Sequence, residues 1–322
     1  MKRLQVSAHT LMSAADCRTR TLLHLAGMKD AGLPVPGAQL SMEAGTQGHK
    51  AMAAWLNGSD WVEAIAPYEQ RSDELGILED RRGHANLSLI LREVFSRYTP
   101  QSNLPFELLT PQTTEVSFVA PLGVLRDGTP VDLIGYIDKL VQDKRTGLKL
   151  PLEHKFTGKL DESFVRRFTE YDPQVTAYMF AAETVLGEKI GDAWVNAVEV
   201  AKVPQSTRKC TKHGVLYEEC GPLHVKQTFI AARRTPEQLK EFRVRALEIC
   251  NEYLLPVANA LAKKGVEVAT KTPRDGPFTG ACDYCEFARW CLTSNRAPNL
   301  MQTLLAVDAR DDTRLRSGFV EA

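Results

Sequence analysis

Four cysteines at opposite ends constrain this chain more than any other feature. Cys282, Cys285 and Cys291 form a C-x2-C-x5-C run in CDYCEFARWC, and Cys17 stands alone near the start. If the four share one centre, the two ends must meet. Most of the chain is then closed into one loop, as by a long-range cross-link. Four thiolates suit a [4Fe–4S] cluster. The same four would also hold a tetrahedral zinc ion, although zinc sites more often pair two close C-x2-C knuckles and only one is present.

The compartment bears on that choice. Seven cysteines, an odd number, argue for reduced thiols and metal ligation rather than a disulfide framework. The segment MKRLQVSAHTLMSAADC starts basic but lacks a continuous apolar stretch, so a secretory signal is not expected. No apolar run approaches the roughly 20 residues that span a bilayer. A cytoplasmic protein is expected. With 322 residues, 43% hydrophobic and 25% charged, the composition is that of a globular protein with room for one elaborate domain or two small ones. Forty basic residues balance forty acidic ones. That balance neither advertises nor excludes nucleic-acid binding, because a local basic groove can sit within a neutral total.

Residues 10–28 read as a helix with Leu11, Met12, Leu22, Leu23 and Leu25 on its apolar side. After a loop rich in glycine and proline, Ser41 can cap a second helix that runs to Asn57-Gly58. A third is predicted over 84–98. The periodicity then changes. TTEVSFVAPL, VDLIGYIDKLV and KLPLEHK are short β-rich segments separated by Asp127-Gly128 and Thr146-Gly147, which predicts an antiparallel meander. Asp172-Pro173 signals a helix start and Gly187 its stop, followed by a strand, DAWVNAVEV. Thr235-Pro236-Glu237-Gln238 matches a capping box opening a long helix to Lys264. The tail from 307 is polar and is expected to be loose. This order gives an α/β fold with extra helices at both ends.

The central residues carry the chemistry. Glu153 and Lys155 are two apart on a strand and project to one face, while His154 points away. Asp138 ends a neighbouring strand, and a hairpin through Asp143–Gly147 brings it beside Glu153. Two carboxylates and a backbone carbonyl make a hard-oxygen site suited to Mg2+ or Mn2+. Such an ion can polarise a phosphodiester, lower the pKa of water and steady the leaving oxygen. Lys155 would orient the attacking water or neutralise charge on the phosphate. Gln174 and Tyr178, four apart, share a helix face, from which they could orient a DNA backbone or the lysine. His49 could add a metal ligand. Gly45 and Gly48 cost its helix stability, which suggests close backbone approach. Taken singly, E-x-K is usually a solvated pair, Gln174 and Tyr178 an ordinary helix face, and His49 a satisfied or exposed histidine.

Two further thiol features stand apart. Cys210, His213, Cys220 and His224 give C-x2-H-x6-C-x3-H, which reads either as a zinc site or as a hairpin insertion with incidental thiols. Cys250 falls within the long helix and reads as a buried small hydrophobe.

As an ordered set, these motifs resemble the RecB-like branch of the PD-(D/E)XK nuclease superfamily. The similarity is greatest to its iron–sulfur members, such as CRISPR-associated RecB-like exonucleases and the AddB nuclease domain. The family order is a helix cysteine, G-x-x-x-H, G-x-[IV]-D, [DE]-x-K-T, Q-x-x-x-Y and C-x2-C-x5-C. It maps onto Cys17, Gly45 to His49, Gly135 to Asp138, Glu153 to Lys155, Gln174 to Tyr178, and Cys282 to Cys291. Glu153 replaces the aspartate usual in that branch, Phe156 precedes Thr157 as one extra residue, and Cys17 lacks the proline that often follows it.

The resemblance implies a restriction-endonuclease-like core, a central mixed sheet flanked by helices, with helical parts at both ends joined by a metal cluster. It implies an N-terminal helical region over 1–100 carrying Cys17 and His49, a nuclease core over 101–232, the long helix and cluster over 233–300, and a polar tail over 301–322. It further implies His49, Asp138, Glu153 and the carbonyl of His154 as Mg2+ or Mn2+ ligands, Lys155 as the catalytic lysine, and Gln174 and Tyr178 as supporting residues that contact DNA. Cys17, Cys282, Cys285 and Cys291 would hold a structural [4Fe–4S] cluster, which the resemblance favours over zinc.

The expected activity is a Mg2+- or Mn2+-dependent deoxyribonuclease, an exonuclease on DNA ends or single strands, serving recombination or repair. The alternative is a non-catalytic iron–sulfur protein for DNA binding or assembly, which a disrupted E-x-K or a missing aspartate would favour. An electron-transfer protein would leave the carboxylate set unexplained. No G-x-x-x-x-G-K-[ST] is present, so any helicase partner would be a separate protein.

Overall fold

The structure is a computed structural model. It describes residues 2–14, 16–30, 38–77, 80–99, 101–110, 115–204, 207–272, 282, 285, 287, 290, 291, 305–307 and 318–321. The N-terminal part holds β1 (Lys2–Ser7), α1 (Ala8–Ala14), α2 (Arg18–Leu25) and β2 (Met28–Asp30). A helical layer follows, α3 (Ala38–Leu56), α4 (Trp61–Ile65), α5 (Pro67–Glu74) and α6 (His84–Ser96). Then come β3 (Phe106–Leu108), β4 (Val116–Val124), β5 (Pro130–Ile137), β6 (Lys139–Asp143) and β7 (Lys149–Thr157). The sequel is α7 (Glu162–Glu170), α8 (Pro173–Leu186), β8 (Asp192–Glu199), α9 (Tyr217–Cys220) and β9 (Gln227–Arg233). Helices α10 (Pro236–Ile249) and α11 (Leu255–Lys264) precede two short strands, β10 (Leu305–Val307) and β11 (Gly318–Glu321).

The central β-rich stretch is not one meander. The run VDLIGYIDKLV breaks at Asp138, with β5 in one sheet and β6 in another. The first sheet has the order β11-β1-β5-β4 and the second β3-β6-β7-β8-β9, while β10 pairs with β2 alone. Both larger sheets are mixed: β1 runs parallel to β5 and β7 parallel to β8, and their other pairings are antiparallel. This is an α/β fold of mixed sheets flanked by helices, as a restriction-endonuclease-like core requires. The C-terminal stretch expected to be loose contributes β11, which is hydrogen-bonded to β1, and the last residue of β10.

The five-stranded sheet is buried on both faces, which is why β7 and β8 read as near-continuous apolar runs. Leu150 and Leu152 of β7 and Val198 of β8 pack towards α3 and α6, together with Met52, Leu87 and Leu91. Ala193, Val195 and Ala197 of β8 pack on the opposite side against α8 and α10. Period-2 alternation therefore turns His154 to the α3 side and Glu153 and Lys155 to the α8 side.

Local signals explain most boundaries. Asp172 caps α8 by accepting from the amides of Gln174 and Val175, and Gly187 ends it in the left-handed region at φ 68°. The capping box at Thr235 is formed on both sides. The long helix it opens passes through a π turn over Cys250–Leu254 just before Pro256, which has no amide to donate. The predicted helix over 10–28 is two helices, with Cys17 in extended conformation as the N-cap of the second.

Candidate active site

Asp138 is the residue at which the chain leaves one sheet for the other. Antiparallel pairing of β6 with β7 sets Lys139 opposite Leu152, which lays Asp138 beside Glu153. The His154 amide donates to Asp138 Oδ2 at 2.7 Å, and Asp138 Oδ1 lies 3.3 Å from His49 Nδ1 on α3. On the α8 side, Lys155 Nζ donates to Glu153 Oε1 at 2.5 Å and to Gln174 Oε1 at 2.8 Å. Gln174 Nε2 then donates to the Tyr178 hydroxyl at 2.8 Å and lies 3.4 Å from Glu153 Oε1. All seven residues singled out from the sequence therefore converge on one place.

Two glycines make the approach possible. A Cβ on Gly48 would sit 2.5 Å from the ring of Phe156, so the extra residue after Lys155 packs flat against α3 and fixes the turn that carries His49. A Cβ on Gly135 would meet the ring of Phe118 at 2.8 Å. That ring in turn packs edge-on to Tyr178, with centroids 6.1 Å apart. Gly45 differs, since a Cβ there would meet nothing within 4 Å, and the residue lines an open cavity instead.

That cavity, about 710 Å³, is walled by His49, Glu115, Asp138, Lys139, Lys155 and Phe156. Beside it two buried carboxyls, Asp138 and Glu153, face the imidazole of His49 and the ammonium of Lys155. Burial, and after it the charge of Asp138, raises the Glu153 carboxyl well above the carboxylate range. Burial alone would raise Asp138 too, but His49 across from it and the His154 amide overrule this and hold it low. Burial would lower His49 and Lys155; the nearby carboxylates overrule it in both and raise them. His154 is pulled down to about 4 by burial and is neutral, so it adds no charge. The donor set of two carboxylates, one imidazole and a main-chain carbonyl fits a hard divalent cation, whose charge would favour the ionised form of Glu153 against the burial and the Asp138 charge that raise it.

Asn196 is the residue that sequence reasoning missed. Its Nδ2 donates to His154 Nδ1 at 3.1 Å while its Oδ1 accepts from Gln227 Nε2 at 2.8 Å, locking the ring that shares a strand with Glu153 and Lys155. A signal was available, because Asn196 is a polar residue in the middle of an apolar strand and is 2% exposed.

The cysteines fall into three places. Cys291 is buried with Leu22 and Leu23 of α2, Phe287 and Trp290 in a separate small core, with Cys285 at its edge. Burial, and then the neighbouring Cys17 and Cys282, push the Cys285 thiol up to about 11. The C-terminal cysteine run is thus folded back onto α2. Cys250 is fully buried in the main core, the place its apolar reading requires. Cys210, His213, Cys220 and His224 also converge, far from both groups in sequence.

The profile of the PD-(D/E)XK nuclease superfamily matches residues 5–292. The chain belongs to that superfamily. Its members are metal-dependent nucleases that typically use Mg2+ or Mn2+ and act on DNA. No curated protein matches this PD-(D/E)XK chain in sequence. Among solved structures, one described as the crystal structure of SSO0001 is similar at 12% identity and a TM-score of 0.31, over 70% of this chain and 79% of that one. Among the described residues, no helix is long and apolar enough to cross a membrane.

Proposed function

We propose that this chain is a DNA exonuclease that processes ends or single strands by phosphodiester hydrolysis. Supporting this is the position of Lys155, whose ammonium is held between Glu153 and Gln174 at the wall of a cavity that also exposes Asp138. His49, Asp138, Glu153 and the carbonyl of His154 would hold Mg2+ or Mn2+. When bound, the ion lowers the pKa of water and offsets charge developing on the phosphate. Lys155 orients the attacking water or neutralises the phosphate as charge builds. Gln174 keeps the ammonium on station by accepting from it, and Tyr178 accepts from Gln174 in turn, so the amide cannot flip without losing both bonds. The exonuclease assignment and the [4Fe–4S] cluster on Cys17, Cys282, Cys285 and Cys291 rest on the likeness to RecB-like iron–sulfur nucleases. The packing of Cys285 and Cys291 with α2, whose N-cap is Cys17, supports the latter. A separate helicase or recombination protein would be the natural partner.

The test is Mn2+-dependent degradation of end-labelled single- and double-stranded DNA by anaerobically purified protein. Lys155→Ala, checked for intact cluster absorbance, should lose about 10²–10³-fold or more in rate. Wild type that fails to cut with its cluster intact would favour the non-catalytic DNA-binding reading.

A further inference from the structure

Strands β8 and β9 are antiparallel neighbours over their whole length, Asp192 opposite Arg233 and Val198 opposite Gln227. Such a pair can be closed by a two-residue turn. Here residues 200–226 intervene. Within 207–224 the buried residues are Cys210, Cys220 and Gly221, while Val215 and Leu223 are exposed. An excursion of that length is uncommon in a compact domain, and one with no apolar core of its own needs another source of cohesion.

The two buried thiols are met by two half-buried imidazoles, His213 and His224. Their ligand atoms all lie within 4.8 Å of one another. Cys210 Sγ is 3.7 Å from both His213 Nδ1 and His224 Nε2, and Cys220 Sγ is 2.8 Å and 2.9 Å from the same two nitrogens. Bond lengths of about 2.3 Å to sulfur and about 2.0–2.1 Å to nitrogen give a tetrahedral sulfur–nitrogen edge of about 3.5 Å, inside the observed spread. We propose that Cys210, His213, Cys220 and His224 form a structural zinc site that holds the β8–β9 insertion together.

The backbone is arranged for it. The Gly214 amide donates to the Cys210 carbonyl at 2.8 Å and the Cys210 amide to the Val215 carbonyl at 2.7 Å, a tight turn that brings His213 back over Cys210. Gly214 has φ +74°, a left-handed conformation that glycine adopts without steric cost. The amides of His213 and Lys212 also reach the Cys210 sulfur, as suits a thiolate ligand. On the other limb, Cys220 and His224 are four residues apart across α9 and the 3-10 turn Gly221–His224, so they face the same way. The two limbs are clamped by the Tyr217 amide on the Arg208 carbonyl at 2.9 Å. Two thiolates with two imidazoles select zinc over the oxygen-loving Mg2+ or Mn2+. A disulfide between the thiols would leave both imidazoles on them unexplained. The site shares no residue with the carboxylate centre, so it stands whether or not that centre cuts DNA.

Metal analysis of the purified full-length chain, grown with zinc, tests this together with zinc-edge X-ray absorption. The expected result is about one zinc per chain in a shell of two sulfurs near 2.3 Å and two nitrogens near 2.0–2.1 Å. Cys220→Ser should lose that zinc and Cys285→Ser should keep it. Unchanged zinc in Cys220→Ser, a wild-type shell of sulfur alone, or no zinc in the wild type would each overturn the proposal. The wild-type spectrum decides even if Cys220→Ser fails to fold.

Discussion

The carboxylate centre and the β8–β9 insertion both gather metal-ligating side chains, but they are built in opposite ways. Asp138, Glu153 and Lys155 stand on or between paired strands, with packed residues on both faces of the sheet. Their positions are fixed by the sheet register, by the His154 amide donating to Asp138 and by Lys155 donating to Gln174. In the insertion, the buried side chains within 207–224 are the two ligand thiols. A scaffold that exists without its ion can use the ion as a reagent; one without a core must use it as a core.

Metal withdrawal should separate the two, and it is the largest effect expected. Stripping all metal with a strong chelator should abolish cleavage and open 207–224 to protease, read by end-label release and by mass mapping of the cut sites. Adding back Mn2+ should restore cleavage and leave the insertion open, whereas Zn2+ should close it. Protection of 207–224 that survives complete removal of zinc would break the contrast.

A smaller effect belongs to the carboxylate centre alone. The Glu153 carboxyl is raised to about 7 by burial and by the charge of Asp138, so without metal it binds a proton at a pH where a free carboxylate stays ionised. A cation must displace that proton. His49, also a proposed ligand and also raised, must lose its proton too, so affinity for Mn2+ should fall as pH falls between about pH 7 and about pH 6, by about tenfold per unit or more. Calorimetric titration at several pH values measures this, and a pH-independent Kd across that span would mean that Glu153 is not a ligand.

How much of this was legible beforehand follows from the range over which each signal acts. Glu153 with Lys155, and Gln174 with Tyr178, share faces because strand and helix periods are local, and the register of the β6–β7 hairpin follows from the short turn at Thr146-Gly147. The capping signals at Asp172 and Thr235 are equally local and appear where they were read. Asp138 was read as a strand end, but that the two halves of VDLIGYIDKLV belong to different sheets was not legible, since only the remote pairing of β1 with β5 shows it. The strand status of 318–321 likewise depends on a partner at the other end of the chain. Asn196 was visible as an anomaly, but its role needed His154 opposite.

The pair of glycines on α3 gives the smallest and cleanest test of which contacts hold the carboxylate centre in place. Both cost helix stability relative to alanine by about 1 kcal/mol, so a sequence argument treats them alike. The structure does not. Gly48→Ala would drive a methyl into the ring of Phe156, so overpacking of about 1–3 kcal/mol outweighs the helical gain and tilts the turn carrying His49. Gly45→Ala meets open space and keeps the gain, stabilising by up to about 1 kcal/mol. Urea unfolding of the two variants should therefore give shifts of opposite sign. A stabilising Gly48→Ala would mean that Phe156 yields easily. His49 would then owe its place to Asp138 rather than to the packing of α3 on β7.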